Sequence, residues 1–146
     1  RNICQLVQLP TLPVLPVDKL THIQAQGGGV SVTVVHGEGE SWLYEGADVS
    51  DRIASLTTLL AAGMQIESCV DYNPSSGALP ICGLTDPALT VTVNYRGDDG
   101  SAGSFTLRVG YAYGDGYFAL YNDVPAIFKL SAETVQALQA VLALAA

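Results

Sequence analysis

The sequence predicts an α+β fold, in which a mostly antiparallel sheet carries two helices packed on one face. First, residues 83–130 contain several segments where apolar and polar residues alternate, as in strands buried on one side only. Second, short Gly-, Asp- and Asn-containing turns separate these segments, which favours antiparallel hairpins. Third, two segments that begin near Asp48 and at Ser131 instead repeat their apolar residues at helical spacing. We expect residues 83–130 to form the centre of the sheet.

The strands are predicted from alternation and from the turns that bound them. The segment 89–96 alternates best, with Leu89, Val91 and Val93 on one side and threonines and Asn94 on the other. Strands are predicted at residues 18–26, 30–34, 41–45, 64–70, 89–96, 105–109, 117–121 and 126–130. Residues 71–80 are rich in Asn, Pro, Ser and Gly and are predicted to form a loop.

The two helices are predicted from apolar spacing and from their ends. The first has a cap at Asp48 or Ser50, since either side chain can accept from free amides of the first turn, and ends at Gly63. Its apolar face consists of Val49, Ile53, Leu56 and Leu60. The second is capped by Ser131 and its apolar face consists of Val135, Leu138, Val141 and Leu142.

The two helical segments are each preceded by hairpin strands, around Trp42 in one case and Phe128 in the other. This similarity between the two segments is what a duplication of a strand–strand–helix unit would leave. A simple α+β domain without repeats explains it as well.

The N-terminal residues 1–17 differ from the rest in composition. Pro10, Pro13 and Pro16 recur every three residues, which matches the period of an extended polyproline II segment. One interpretation is a linker between the domain and an anchor; the other is an apolar arm that lies against the sheet. Residues 18–146 then form a single domain, and we expect a signal or membrane anchor to have been removed before Arg1.

The composition and net charge of the chain limit the classes of partner that it can bind. Of 146 residues, 49% are hydrophobic and 14% are charged, which suits one domain with a sizeable core. The net charge of -8 leaves too few Lys and Arg residues for a phosphate-binding patch, so nucleic acid is excluded as a partner and anionic membrane surfaces are disfavoured. No apolar run reaches the roughly 18 residues that a membrane span needs.

The three cysteines are Cys4, Cys69 and Cys82. A disulfide between Cys69 and Cys82 would close a loop of roughly 13 residues and contribute about 3 kcal/mol. The alternative is two unpaired thiols, one or both of them buried. Zinc is not predicted, because there is no Cys-x-x-Cys spacing and the only histidines are His22 and His36.

No catalytic, metal or cofactor site is predicted. Both histidines lie in the N-terminal quarter, and neither Cys69 nor Cys82 has a base nearby in sequence, so the chain is not expected to be an enzyme. The acidic hairpin tips lack the ordered oxygen pattern of a calcium loop. The three glycines at 27–29 lack the Lys and Ser or Thr of a phosphate-binding loop.

A group of tyrosines is the strongest candidate for a binding surface. Tyr111, Tyr113, Tyr117 and Tyr121 flank one turn, with Phe118 among them. Exposed rings beside Asp and Asn could stack on sugars or anchor a protein partner. The pattern favours a simpler arrangement, in which the rings pack on the sheet with their hydroxyls at the water boundary.

An ordered set of short motifs is similar to a known family. The motifs are Gly-Leu-Thr-Asp-Pro at 83–87, Thr-Leu-Arg-Val-Gly at 106–110, Gly-Tyr-Phe at 116–118 and Ile-Phe-Lys-Leu at 127–130, with Ser-Trp at 41–42 upstream. Over roughly residues 18–144 the chain resembles the bacterial domain-of-unknown-function family numbered 4340. The cysteines and the long loop before Gly83 depart from that family's pattern.

The resemblance implies a place outside the cytoplasmic membrane of a bacterium. Members of the family hang from an N-terminal membrane helix or a lipid anchor, and some are encoded beside ABC-type exporters of the gliding-motility type. No enzyme activity or binding residue is established for the family, so none is carried over. A cysteine-bridged loop would suit such an oxidising location.

We therefore expect a non-catalytic module of the cell envelope, anchored to the cell membrane or cell surface, that assembles with a membrane partner of the transporter type. The alternative is a domain that binds a glycan or small ligand through the tyrosines. A docked N-terminal arm and an exposed apolar patch would favour assembly. A concave site with two or more exposed rings would favour the ligand.

Overall fold

The computed structural model describes residues 8–146. Cys4 and the first seven residues of the predicted arm lie outside the described residues. The described chain forms one nine-stranded, antiparallel sheet with three α-helices and short 3-10 turns, which is an α+β fold. None of its helices has the length and apolar character that a membrane crossing requires.

The strands and α-helices of the described residues have the following bounds. The strands are β1 (Leu20–Gly27), β2 (Val30–His36), β3 (Trp42–Tyr44), β4 (Ala47–Asp48), β5 (Ser68–Tyr72), β6 (Leu89–Arg96), β7 (Ala102–Tyr113), β8 (Gly116–Tyr121) and β9 (Ala126–Ser131). The α-helices are α1 (Ala54–Ala62), α2 (Ala78–Ile81) and α3 (Ala132–Leu142).

Two meanders build the sheet. Its strand order is β4-β3-β2-β1-β6-β7-β8-β9-β5, with every pairing antiparallel. The first meander comprises β1 to β4 and the second β6 to β9, and the pairing of β1 with β6 joins them. Strand β5, which lies between the meanders in sequence, pairs with β9 at one edge of the sheet.

The main core lies on one side of the sheet. In the central strands Ile23 lies opposite Val93 and Ala25 opposite Val91, and all four side chains are buried. The same cluster contains the predicted apolar faces of α1 and α3, apart from Leu142, which is only partly buried. Both helices therefore share one core with alternate residues of the strands.

The ends of the long helices follow the sequence only in part. Ser131 caps α3 as predicted, because its Oγ accepts a hydrogen bond from the amide of Thr134 at 3.1 Å. The first helix ends at Gly63 as predicted, with a φ of 94°. Its start is different: residues 50–53 form a 3-10 turn before α1, and the Asp48 carboxylate accepts from the amide and hydroxyl of Ser50 without capping α1.

The strand predicted at 64–70 begins later than expected, at Ser68. Met64 and Ile66 are buried in the main core although they lie outside any strand. Their alternation therefore reflects contact with the core rather than pairing in the sheet. The loop predicted at 71–80 also runs into the short helix α2.

The described part of the N-terminal arm is docked on the domain. Leu12 and Leu15 are buried in the main core, and the amide of Leu15 donates to the carbonyl of Leu60 at 2.8 Å. The arm therefore packs at the C-terminal end of α1, and this part of the chain stabilises the domain by burying apolar surface.

A second, smaller cluster lies on the other side of the sheet. It consists of Cys82, Leu84 and Ile127, with partly buried side chains such as Phe118 and Leu120 packed against it. Residues 78–87 fold back over β7 to β9 and cover these side chains. Gly110 makes the close approach possible, because a Cβ there would lie 2.1 Å from the carbonyl oxygen of Cys82.

We predict that Gly110→Ala destabilises the protein by about 1–3 kcal/mol, the usual cost of overpacking. The added methyl would push residues 78–87 away from β7. Gly77→Ala is the matched control, because no heavy atom lies within 4 Å of a Cβ at Gly77, and we expect a change within about 0.5 kcal/mol. Urea denaturation measures both, and equal stabilities of the two variants would contradict this packing.

Candidate functional site

Within residues 8–146, the side of the sheet opposite the main core carries mostly polar side chains; we call it the outer face. Polar side chains occupy the outward positions of four neighbouring strands, and all of them are exposed or half-buried. They are His22, Gln24, Gln26, Ser31, Thr33, Thr90, Thr92, Asn94, Ser104, Thr106 and Arg108. Some of them bond across strands, as Thr92 Oγ1 does with Thr106 Oγ1 at 3.0 Å. The outer face therefore offers hydrogen-bonding groups with few charges.

The four candidate tyrosines divide between the two sides of the sheet. Tyr117 and Tyr121 are half-buried against the main core, and the ring centroid of Tyr121 lies 6.1 Å from that of Phe105. Burial raises the pKa of the Tyr121 hydroxyl. These two rings thus pack on the sheet, the arrangement that the sequence pattern favours.

Tyr111 and Tyr113 lie on the outer face and are 61% and 42% exposed. The strand register shifts between Val109 and Ala112, so that one extra residue enters β7 just before them. The ring of Tyr113 stacks on Phe118 with centroids 4.4 Å apart and an interplanar angle of 20°. The ring of Tyr111 lies directly against Gly83, where a Cβ would come within 2.7 Å of it.

The ammonium group of Lys129, whose side chain is mostly buried, lies beside the stacked rings of Tyr113 and Phe118. Lys129 Nζ lies 5.7 Å from the ring centroid of Tyr113, 2.5 Å from Asp115 Oδ1 and 3.7 Å from Glu67 Oε1. The hydrogen bond from Lys129 lowers the pKa of Asp115, and the same bond raises the pKa of Lys129. Both groups therefore stay charged near neutral pH. The ammonium of Lys129 helps to fix Tyr113 by a cation–π contact.

We define the aromatic patch as the exposed rings of Tyr111 and Tyr113 together with the exposed side chain of Ile81. Ile81 is 77% exposed and directly precedes Cys82, whose carbonyl accepts from the amide of Tyr111 at 2.9 Å. Three large apolar side chains thus face solvent, and two of them, Tyr111 and Tyr113, contact neighbouring residues that restrict their rings. Tyr111 and Tyr113 thus lie on the same side of the sheet, whereas Tyr117 and Tyr121 pack against the main core on the other side.

A cleft on the outer face was not predicted from the sequence. It has a volume of about 490 Å³, and six of its lining residues are Leu79, Leu84, Arg108, Leu120, Asn122 and Val124. Arg108 looked like an ordinary outward residue of an alternating strand. No sequence pattern indicated this cleft: Leu79 lies in the segment predicted to form a loop, and Leu84 lies in the motif at 83–87.

The disulfide between Cys69 and Cys82, one of the two alternatives that the sequence left open, is not formed, because Cys82 is a free thiol. Cys82 is a free, buried thiol in the small cluster on the outer face. Cys69 lies opposite Phe128 on β9 and packs against the main core. The sheet therefore separates the two residues, although a short loop connects them in sequence.

The two histidines have ordinary local partners. His22 Nδ1 lies 3.1 Å from Thr21 Oγ1, and His36 Nε2 lies 2.6 Å from the carbonyl oxygen of Gly39. Within residues 8–146 no three His, Cys, Asp or Glu side chains cluster in a way that could hold a metal ion. The non-enzymatic interpretation stays a prediction.

Comparison with known proteins assigns no family to the chain. No protein-family model, no curated protein and no solved structure matches it. The resemblance to the family numbered 4340 therefore stays a prediction.

We predict that thiol counting will distinguish a free Cys82 from a bridged one. Burial raises the pKa of the Cys82 thiol, as does the nearby charge of Asp71, so it should react with a disulfide reagent at least about tenfold more slowly in the native protein than in the unfolded one. In denaturant without reductant, Cys82→Ala should contain one thiol fewer than the wild type. A bridge to Cys69 would give one thiol more in the variant, because Cys69 would be released.

Proposed function

We propose that this protein is a non-catalytic binding module outside the cytoplasmic membrane of a bacterium, anchored to the cell membrane or cell surface. It assembles with a membrane protein of the transporter type. The location and the class of partner rest on the resemblance to the family numbered 4340. The contact surface in this proposal is the aromatic patch.

The observation that carries the proposal is that the rings of the patch are exposed and yet held in position. Tyrosine is enriched where protein partners bind, since it supplies a large apolar ring and a polar hydroxyl. The stack of Tyr113 on Phe118 and the contact of Tyr111 with Gly83 limit the freedom of both rings before binding. A partner would therefore lose less entropy in fixing them than it would with mobile side chains.

The N-terminal arm gives further support to assembly. An apolar arm that docks on the domain, together with an exposed apolar patch, is the combination expected of an accessory module. Leu12 and Leu15 are buried, and Ile81 and Tyr111 are exposed.

The alternative is a domain that binds a glycan or a small ligand. Two exposed rings on the outer face favour it, because sugars stack on aromatic faces, and Asp115 beside Tyr113 could accept hydrogen bonds from hydroxyl groups. The contact would involve Tyr111 and Tyr113 rather than all four tyrosines.

We also propose that both long helices cover the same side of the sheet and that the two halves arose by duplication. In each half a four-stranded meander precedes a helix, α1 in the first and α3 in the second. The first strands of the two meanders, β1 and β6, pair antiparallel at the centre, as a two-fold relation between repeats would require.

We predict that a photocrosslinking residue in place of Tyr111 will capture a membrane protein in living cells. The full-length protein is expressed in its native bacterium with p-benzoylphenylalanine at this position. The control places the same residue at Val35, which is also exposed but lies on β2. Captured proteins are identified by mass spectrometry.

Assembly predicts one protein with membrane spans, captured at position 111, absent at position 35 and reduced at least severalfold by Tyr113→Ala. Equal capture at both positions, or none at either, would overturn assembly through the patch. If glycans instead bind the purified protein and Tyr113→Ala abolishes that binding, the alternative is correct.

A further inference from the structure

We propose that the cleft around Arg108 is a binding site for a carboxylate that carries an apolar group nearby. The guanidinium of Arg108 pairs with the carboxylate, and the apolar group lies against Leu79, Leu84 and Leu120. The site is separate from the aromatic patch, so this inference does not depend on the proposed function.

The dimensions of the cleft suit a small ligand. Its volume of about 490 Å³ lies within the range of ligand pockets in proteins. Residues 84–87 form part of one wall and residues 122–126 form another. Leucine side chains and Val124 provide the apolar lining, while Arg108 contributes a positive charge.

Arg108 is half-buried and lacks an anionic partner within residues 8–146. Its strand neighbours are Thr90 and Leu120, both uncharged. The guanidinium makes one hydrogen bond within residues 8–146, a weak one from Nη1 to the carbonyl of Asn122 at 3.5 Å. A partly desolvated guanidinium that forms no salt bridge in the described part of the chain favours an anion, and its planar donors match the two oxygens of a carboxylate.

Arg96 shows the contrast on the neighbouring strand. It is exposed, and its Nη1 donates to the carbonyl of Gly100 in its own hairpin loop at 3.1 Å. It lines no part of the cleft. Arg96 is therefore a matched control for the charge of Arg108.

Backbone hydrogen bonds fix the walls of the cleft. The backbone amide of Asn122 donates to the carbonyl of Thr106 at 2.9 Å. The side-chain Oδ1 of Asn122 accepts from the backbone amide of Thr106 at 2.8 Å. The amide of Asn73 donates to the carbonyl of Pro125 at 2.6 Å. Both asparagines have positive φ, 56° at Asn73 and 49° at Asn122, which asparagine tolerates better than most residues. The cleft is thus shaped before a ligand binds, which lowers the entropic cost of binding.

The charge at the rim limits the ligand to one negative group. Asp123 is exposed at the edge of the cleft and is the acidic residue among its lining. A second carboxylate on the ligand would be repelled by Asp123. The shared chemistry is a monocarboxylate, either a free acid or the C-terminus of a peptide with an apolar last residue.

The test is an NMR titration of the full chain, labelled with ¹⁵N. The probes are N-acetyl-L-phenylalanine, its uncharged amide, 3-phenylpropionate and the peptide acetyl-Gly-Gly-Gly-Phe. We expect carboxylate probes to bind at least about tenfold more tightly than the amide, with shifts around Arg108 and residues 122–126. Tighter binding of the peptide than of 3-phenylpropionate would identify a peptide C-terminus as the source, and the reverse order a free acid.

Arg108→Gln should weaken binding of the carboxylates at least about tenfold, and Arg108→Lys should weaken it less, since the charge remains. Arg96→Gln should bind like the wild type. The dispersion of each spectrum shows whether the variant is folded, and Arg108→Lys provides the comparison if Arg108→Gln is not. Equal affinity for acid and amide, equal binding by wild type and Arg108→Gln, or no binding of any probe would overturn the proposal.

Discussion

The pairing of β1 with β6 is the interaction on which the rest of the structure depends. It joins the two meanders at the centre of the sheet, with Ile23 opposite Val93 and Ala25 opposite Val91 in the main core. Because side chains alternate across a strand, this register turns the intervening polar residues to the outer face. A slip of one residue would expose the apolar set and bury the polar one, so the core fixes the register.

Among the described residues 8–146, residues 78–87 fold over one end of the outer face, and both candidate sites lie beside them. The apolar side chains of this segment partly bury Phe118 and Leu120 and so create a local second core at the end of β7 to β9. The aromatic patch lies where this segment meets β7, and the Arg108 cleft lies between the segment and the turn after β8. One packing contact, at Gly110, thus shapes two surfaces that differ in chemistry.

Local patterns predicted much of the fold. Strand β6 and the Ser131 cap were predictable, because alternation and capping depend on residues close in sequence. The relation of Cys69 to Cys82 was not, since it depends on which face of a distant strand each residue contacts. The division of the tyrosines followed partly from the alternation of β8, but the register shift in β7 needed the structure. The Arg108 cleft could not be predicted, because its walls come from separate loops.

The most direct measurement is hydroxyl-radical footprinting of the four tyrosines, read by mass spectrometry, with and without native membranes from the organism that produces the protein. The account predicts fast oxidation of Tyr111 and Tyr113 and slow oxidation of Tyr117 and Tyr121 in the free protein. It further predicts that membranes protect the first pair alone. Similar oxidation of all four would contradict the assignment of the two sides of the sheet. Unchanged oxidation of Tyr111 and Tyr113 in the presence of membranes would contradict recognition through the aromatic patch.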